Sequence, residues 1–154
     1  MAVKINNSTI NNNTTSSGIK SSQTTNSANN VNANESFQSI LKTARLDNFN
    51  GSMQELLGIV RQRGEQFIHS PQEESLSSYR ESVKYFLNKI REEFLSLKEE
   101  FGAKRDGEQR VYQLVDKAEG QADNLTKEAF SQDKALDLLS SLDDIRGLVL
   151  DVIG

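Results

Sequence analysis

Few side chains in this 154-residue sequence could carry out covalent or metal chemistry. It contains no cysteine and a single histidine, His69, which excludes disulfides, thiol catalysis, zinc–thiolate sites and iron–sulfur clusters. A helical di-iron site needs Glu-x-x-His on two helices, and a Ser-His-Asp triad would have to use His69. We expect His69 to lie in a solvated turn beside Ser70, a helix cap. We therefore predict no catalytic residue, no metal site, no cofactor and no enzymatic activity.

A basic cluster lies in the segment that follows Gly102. Gly102 and Gly107 have the glycine spacing of a phosphate-binding P-loop, but neither the lysine nor the Ser/Thr that should come next is present. Lys104, Arg105 and Arg110 nevertheless adjoin a predicted helix N-terminus, whose exposed N–H groups attract anions. We consider them candidates for contact with a partner or an anion. The alternative is a solvated loop that complements the negative end of the preceding helix.

The run from Asp143 to Gly147, Asp-Asp-Ile-Arg-Gly, is the most informative stretch of the sequence. We select Asp143, Arg146 and Gly147 as a candidate structural signature. Arg146 can pair with Asp143 one turn earlier, or with Glu81 or Asp116 on another helix. We expect an interhelical clamp that fixes register; the alternative is a partner-binding surface, because arginine is common in interface hot spots. Gly147 in mid-helix suggests the close approach of another helix.

The composition divides the chain into two parts. Residues 1–36 contain ten Asn, seven Ser and five Thr, with no helical or strand period. Such a segment buries too little apolar surface to offset the entropy of ordering it. We therefore predict a disordered Asn/Ser/Thr-rich segment at residues 1–36 and a single folded domain at residues 37–154.

The charge and hydropathy of the sequence exclude several classes of protein. The net charge is −4 overall and −5 over residues 37–154, which argues against a nucleic-acid surface. No apolar run approaches the roughly 18–20 residues that span a bilayer, and the N-terminus has no signal-peptide core. We expect a cytoplasmic protein that binds neither nucleic acid nor membrane.

The apolar residues after position 36 repeat with a helical period. The stripe Phe37–Ala44 predicts a short helix, and the turn-forming residues Asp47–Gly51 should end it. Ser52 and Glu55 have capping-box spacing and should open a second segment that ends near Ile68.

The strongest predicted helix start is at Ser70, which suits the N-cap. Pro71 suits the first helical position, and Glu73 completes a capping box. A helix over residues 71–101 is predicted, and Gly102 is a natural residue to end it. Its apolar stripe is Leu76, Tyr79, Val83, Phe86, Leu87, Ile90, Phe94, Leu97 and Phe101.

Two more helices complete the pattern. A third long stripe runs from Val111 to Ala129, and Ser131 can cap a last helix. Gly120 inside this helix should cost about 1 kcal/mol of stability relative to alanine. It should either let bulky residues of another helix approach or bend its own helix. Amphipathic helices joined by short loops bury their stripes on antiparallel neighbours, which predicts an all-α, up-and-down antiparallel bundle of about four helices. The alternative is an open coiled coil that completes its core as a homodimer.

Three segments resemble the YaaR family, a bacterial family of unknown function. They are Tyr79–Leu87, Val111–Asp116 and Asp143–Asp151, and the resemblance covers roughly residues 37–154. It implies a helical, four-helix-bundle-like fold and a cytoplasmic protein. The small residues around Gly120 depart from the family pattern.

These observations favour a non-enzymatic interaction or regulatory protein that presents a helix face or groove to an unidentified protein partner. The alternative is a weak nucleotide- or anion-binding sensor that uses the basic loop around residues 104–110.

Overall fold

The structure is a computed structural model that describes the backbone of residues 6–154 and the side chains of residues 36–154. It contains four helices: α1 (Asn6–His69), α2 (Glu73–Phe101), α3 (Arg105–Asp123) and α4 (Gln132–Ile153). No β-strand occurs between residues 6 and 154. The predicted all-α class and the number of helices are therefore confirmed. In the described part of the chain, no helix is both long enough and apolar enough to cross a membrane.

The contacts within the chain divide it after Ala44 into two units. In the first unit the side chains of residues 36–44 are described, and Phe37, Ile40 and Leu41 are exposed on α1. The predicted disordered segment, residues 1–36, lies outside the described side chains except for Ser36, so it stays a prediction.

The second unit, residues 45–154, is a bundle in which every helix contributes buried apolar side chains to one core. The stripe predicted for α2 is buried over eight positions: Leu76, Tyr79, Val83, Phe86, Leu87, Ile90, Phe94 and Leu97. Polar contacts join opposite ends of successive helices. Arg63 near the end of α1 contacts Ser78 near the start of α2, and Lys98 near the end of α2 contacts Glu108 near the start of α3. Just before α3, the Lys104 N–H donates to the Val152 carbonyl at the end of α4, so the successive helices are antiparallel.

The predicted turn at Asp47–Gly51 is wrong, because α1 continues through it to His69. Phe49 and Met53 lie one turn apart and are buried to 3% and 0% exposure. Burying two such side chains contributes about 1.5–3 kcal/mol each, whereas glycine costs a helix about 1 kcal/mol and Asn or Asp less. Burial therefore outweighs local propensity, and the capping box predicted at Ser52 and Glu55 does not form.

The predicted start of α2 is also wrong by a few residues. The N-cap is Gln72, not Ser70, and Pro71 lies before the helix. The hydroxyl of Ser75 accepts a hydrogen bond from the Gln72 N–H at 3.1 Å and lies 2.8 Å from the Ser70 carbonyl oxygen. Ser75 therefore completes the capping box that the sequence predicted for Glu73. The other end agrees with the sequence: Gly102 has φ +81° and its N–H donates to the Lys98 carbonyl at 2.8 Å.

Helix α3 is shorter than its stripe predicts and ends at Asp123. In the connection that follows, Phe130 is buried against the rings of Phe67 and Tyr79, with centroid distances of 4.7 and 4.8 Å. Because Phe130 is anchored in the core, the chain leaves α3 at Asp123 and not at Ala129, where the predicted stripe ends. Ser131 caps α4 as predicted, accepting a hydrogen bond from the Lys134 N–H at 3.3 Å.

Candidate functional site

The predicted basic cluster begins with Lys104, which packs onto the end of α4. Its backbone N–H donates to the Val152 carbonyl at 3.3 Å, and its Nζ donates to the Asp151 carbonyl at 3.4 Å. The last carbonyls of a helix lack partners within the helix and attract positive charge. Lys104 therefore satisfies the C-terminus of α4, a structural contact that the sequence did not predict.

Gly107 explains the P-loop-like glycine spacing. A Cβ atom at this position would lie 2.3 Å from Cγ2 of Val152, which is far inside van der Waals contact. Glycine is therefore favoured where the first turn of α3 packs against the last turn of α4. The spacing reflects helix packing and not a phosphate cradle.

The other two residues of the predicted basic cluster, Arg105 and Arg110, do not lie at one site. Arg105 and Arg110 are exposed, and neither forms an ion pair or hydrogen bond with a described side chain. Arg110 lines a groove between α3 and α4, whereas Arg105 does not.

The signature residues lie on α4 at the same groove. Nε of Arg146 donates to Oδ1 of Asp143 at 2.9 Å, which confirms the first of its predicted partners. Its Nη1 donates to Oδ1 of Asn50 in α1, so the second partner is Asn50 and not Glu81 or Asp116. The close approach predicted at Gly147 is wrong, since a Cβ atom there would meet nothing within 4 Å.

This groove, the α3–α4 groove, has a volume of about 610 Å³. It brings Arg110 together with Asp143, Arg146 and Gly147, so it joins the two regions that the sequence picked out separately. Its apolar floor is formed by Leu114, Ile145 and Leu148, and its charged lining also includes Lys117, Asp144 and Asp151.

The groove continues toward the connection between the two helices. A second cavity, of about 320 Å³, shares Gln121 and Ser141 with the first and extends to Lys134 and Asp137. Sequence reasoning missed Lys117, Asp137 and Gln121. The available signal was their spacing: Lys117 follows Arg110 by seven residues, and Asp137 precedes Asp144 by seven.

A separate set of ion pairs joins α2 to α3. Lys84, Arg91 and Lys98 are also seven residues apart, and they pair with acidic residues of α3 at 2.5, 3.2 and 2.7 Å. Hydrogen bonds to Glu119 raise the pKa of Arg91, and the hydrogen bond to Glu108 raises the pKa of Lys98. These ion pairs join α2 to α3 and leave no unpaired charge on α2 at these three positions.

The single histidine is the exposed last residue of α1. Among the residues whose side chains are described, no three His, Cys, Asp or Glu residues are grouped so that they could hold a metal ion.

The chain is similar to a known protein family. The profile of the family described as a protein of unknown function (DUF327) matches residues 6–153. No curated protein and no solved structure matches the chain. Since the match covers almost the whole sequence, the chain belongs to the DUF327 family of proteins of unknown function, which is the YaaR family that its three segments resemble.

Proposed function

We propose that this chain is a non-enzymatic interaction protein that binds a partner protein through the α3–α4 groove. One observation carries the proposal: Arg110 and the signature residues Asp143, Arg146 and Gly147 border the same groove. We also infer a cytoplasmic location, in keeping with the family resemblance, which cell fractionation would test.

The chemistry of the groove suits a protein ligand. Its lining balances three basic side chains, Arg110, Lys117 and Arg146, against three carboxylates, around an apolar floor. Protein interfaces combine an apolar centre with a polar rim and complementary charges. A phosphate group in the same place would meet the carboxylates of Asp143, Asp144 and Asp151 at close range.

The one hydroxyl in the groove supports a binding role. The hydroxyl of Ser141 donates to the Asp137 carbonyl at 3.1 Å, a local bond within α4. A nucleophilic serine would instead contact a general base. We therefore place binding, and not group transfer, at this surface.

Anion or nucleotide binding is the second candidate, because Arg105 and Arg110 have no acidic partner among the described side chains. Thermal-shift measurements with nucleotides and inorganic phosphate would test it. A ligand at 100 times its dissociation constant should add about 2.7 kcal/mol to the unfolding free energy. An unchanged melting temperature at millimolar ligand would remove this candidate.

Site-specific photo-crosslinking tests the main proposal. A photoreactive amino acid replaces Gln121, which lines the groove, in the full chain expressed in its native cells. Gln113, exposed on α3 and outside the groove, is the matched control. We expect a discrete crosslinked product from position 121 and none from position 113; a product of twice the chain mass would identify a homodimer. Equal labelling from both positions, or none from either, would contradict the proposal.

A further inference from the structure

We propose that the α3–α4 groove accepts an amphipathic α-helix of a partner protein, whose apolar stripe is flanked by acidic side chains on one edge and basic side chains on the other. This inference rests on the proposed function and specifies the chemistry of the partner.

The length of the groove fits a helix. On α3 its lining residues are Arg110, Leu114, Lys117 and Gln121, which recur at the spacing of one helix face, and Leu125 follows just past the end of the helix. From Arg110 to Gln121 this face spans about 16 Å, or about three helical turns. Apolar side chains line both parts of the groove, Leu114, Ile145 and Leu148 in the first cavity and Leu125 and Leu138 in the second, with Gln121 and Ser141 between them.

The two rims of the groove carry opposite charges. The α3 rim has Arg110 and Lys117, seven residues apart. The α4 rim has Asp137, Asp144 and Asp151, also seven residues apart. It also has Lys134 and the Arg146–Asp143 pair, so its net charge is negative. A helix lying between the rims would present one flank to each, so its favoured flanks are acidic toward α3 and basic toward α4.

The rim charges are unpaired across the groove. Of the described residues, none forms an ion pair with the side chain of Arg110, Lys117, Asp144 or Asp151. By contrast, the seven-residue series on α2 is paired with α3 at every position. Charges at the same spacing are therefore paired between α2 and α3 but unpaired between α3 and α4. The unpaired charges can form ion pairs with a charged, amphipathic ligand.

Gly147 lies on the wall of this groove and is not needed for packing within the chain. It costs a helix about 1 kcal/mol relative to alanine, yet a Cβ atom at this position would enter open space. Glycine there leaves room for the backbone of a docked helix. Gly120 of α3 is equally open but does not line the groove, so it provides a matched control.

Fluorescence anisotropy with the full chain and three labelled helical peptides tests the inference. The peptides share a leucine stripe over about 18 residues, more than enough for the three turns of the α3 face. One has glutamates along one flank and lysines along the other, one has lysines on both flanks, and one has glutamates on both. We expect the mixed peptide to bind at least about tenfold more tightly than either control. Equal affinities would overturn the inference.

Variants of the full chain separate the groove from the rest of the surface. Gly147→Leu should weaken binding of the mixed peptide by about tenfold or more while keeping or raising the melting temperature. Gly120→Leu should leave binding unchanged. Arg110→Glu with Lys117→Glu makes both rims acidic and should shift the preference to the all-lysine peptide. Binding that survives Gly147→Leu, or an unchanged preference in the double variant, would overturn the inference.

These outcomes are distinguishable from those of the proposed function. A crosslink from position 121 together with peptides of equal affinity would keep the interaction role and reject the helical ligand. The absence of any crosslink from position 121 in cells would reject the interaction role and, with it, the helical ligand, whatever the affinities of the peptides.

Discussion

Arg146 of α4 donates a hydrogen bond through Nη1 to Oδ1 of Asn50 in α1, a residue 96 positions earlier in the chain. Its Nε donates at the same time to Asp143 in its own helix, at 2.9 Å. The side chain of Arg146 is only 16% exposed, so its guanidinium depends on these partners for much of its solvation. The contact links the signature run of α4 to Asp47–Gly51, the stretch of α1 whose composition is typical of a turn.

Asn50→Ala tests whether this contact stabilises the bundle. The substitution leaves a mostly buried guanidinium with one partner fewer, and hydrogen bonds to charged groups contribute about 1.5–3 kcal/mol. We expect urea unfolding to show a loss near the lower end of that range. Asn48→Ala, at an exposed position of the same helix, should change the unfolding free energy by less than about 0.5 kcal/mol. Equal effects of the two substitutions would contradict an interhelical role for Arg146.

The sequence was sufficient to predict the stripes of buried residues but not every helix boundary. The eight stripe residues of α2 from Leu76 to Leu97 are all buried. They could be predicted because the 3.6-residue period of a helix is visible in the local spacing of apolar residues. The run Asp47–Gly51 has the composition of a turn, yet Phe49 and Met53 hold it in α1. That outcome depends on which helices pack against α1, and local propensity contains no such information.

The candidate site was predictable only in parts. Arg110, Arg146 and Gly147 stand out in the sequence, but only the pairing of α3 with α4 places them on one groove. Lys104 illustrates the opposite error. Its charge suggested a ligand contact, whereas the close packing of Gly107 on Val152 places it where it satisfies the carbonyls of α4.

Gly107→Ala should destabilise the fold, although alanine is the better helix former. The new Cβ would lie 2.3 Å from Cγ2 of Val152, so the ends of α3 and α4 must move apart. Overpacking of this kind costs about 1–3 kcal/mol. In the Val152→Ala background the same substitution should cost much less, because the colliding methyl groups are gone. Chemical unfolding of the single and double variants measures this coupling. Additive losses would show that the contact does not limit position 107.

Arg80 should stabilise the end of α3. Its Nε donates to the Ala122 carbonyl at 3.1 Å, and its Nη2 donates to the Leu125 carbonyl. A cation at a helix C-terminus also interacts favourably with the helix dipole. We expect Arg80→Met, which keeps the apolar stem, to lower the unfolding free energy by about 1.5–3 kcal/mol.

The control for Arg80→Met is Lys84→Met, which removes the exposed ion pair with Asp123. Exposed pairs contribute at most about 1 kcal/mol. Hydrogen exchange should also show faster opening at the end of α3 in Arg80→Met alone. Unchanged exchange at Ala122 and Asn124 would contradict the capping role.

Tyr79→Phe should stabilise the protein. The Tyr79 hydroxyl is buried and lacks a hydrogen-bond partner among the described residues, while its ring packs edge-on against Phe130. Phenylalanine keeps the ring and removes an unsatisfied group, whose burial costs about 1–3 kcal/mol. The expected gain in unfolding free energy at neutral pH is therefore about 1 kcal/mol, at the low end of that range. A loss instead would mean that the hydroxyl is satisfied in solution.

The same substitution should change the response of the protein to alkaline pH. Burial raises the pKa of the Tyr79 phenol in the folded chain above its ordinary value of about 10. Above pH 10 the unfolded chain therefore releases this proton while the folded chain retains it, so the unfolding free energy falls as pH rises. Below pH 10 both states are protonated and this contribution to stability is fully present. Urea unfolding between pH 8 and about 11 should show a shallower decline in Tyr79→Phe than in the unmodified protein, and no such change in Tyr85→Phe, at an exposed position. Parallel declines in all three proteins would contradict a buried, protonated phenol at position 79.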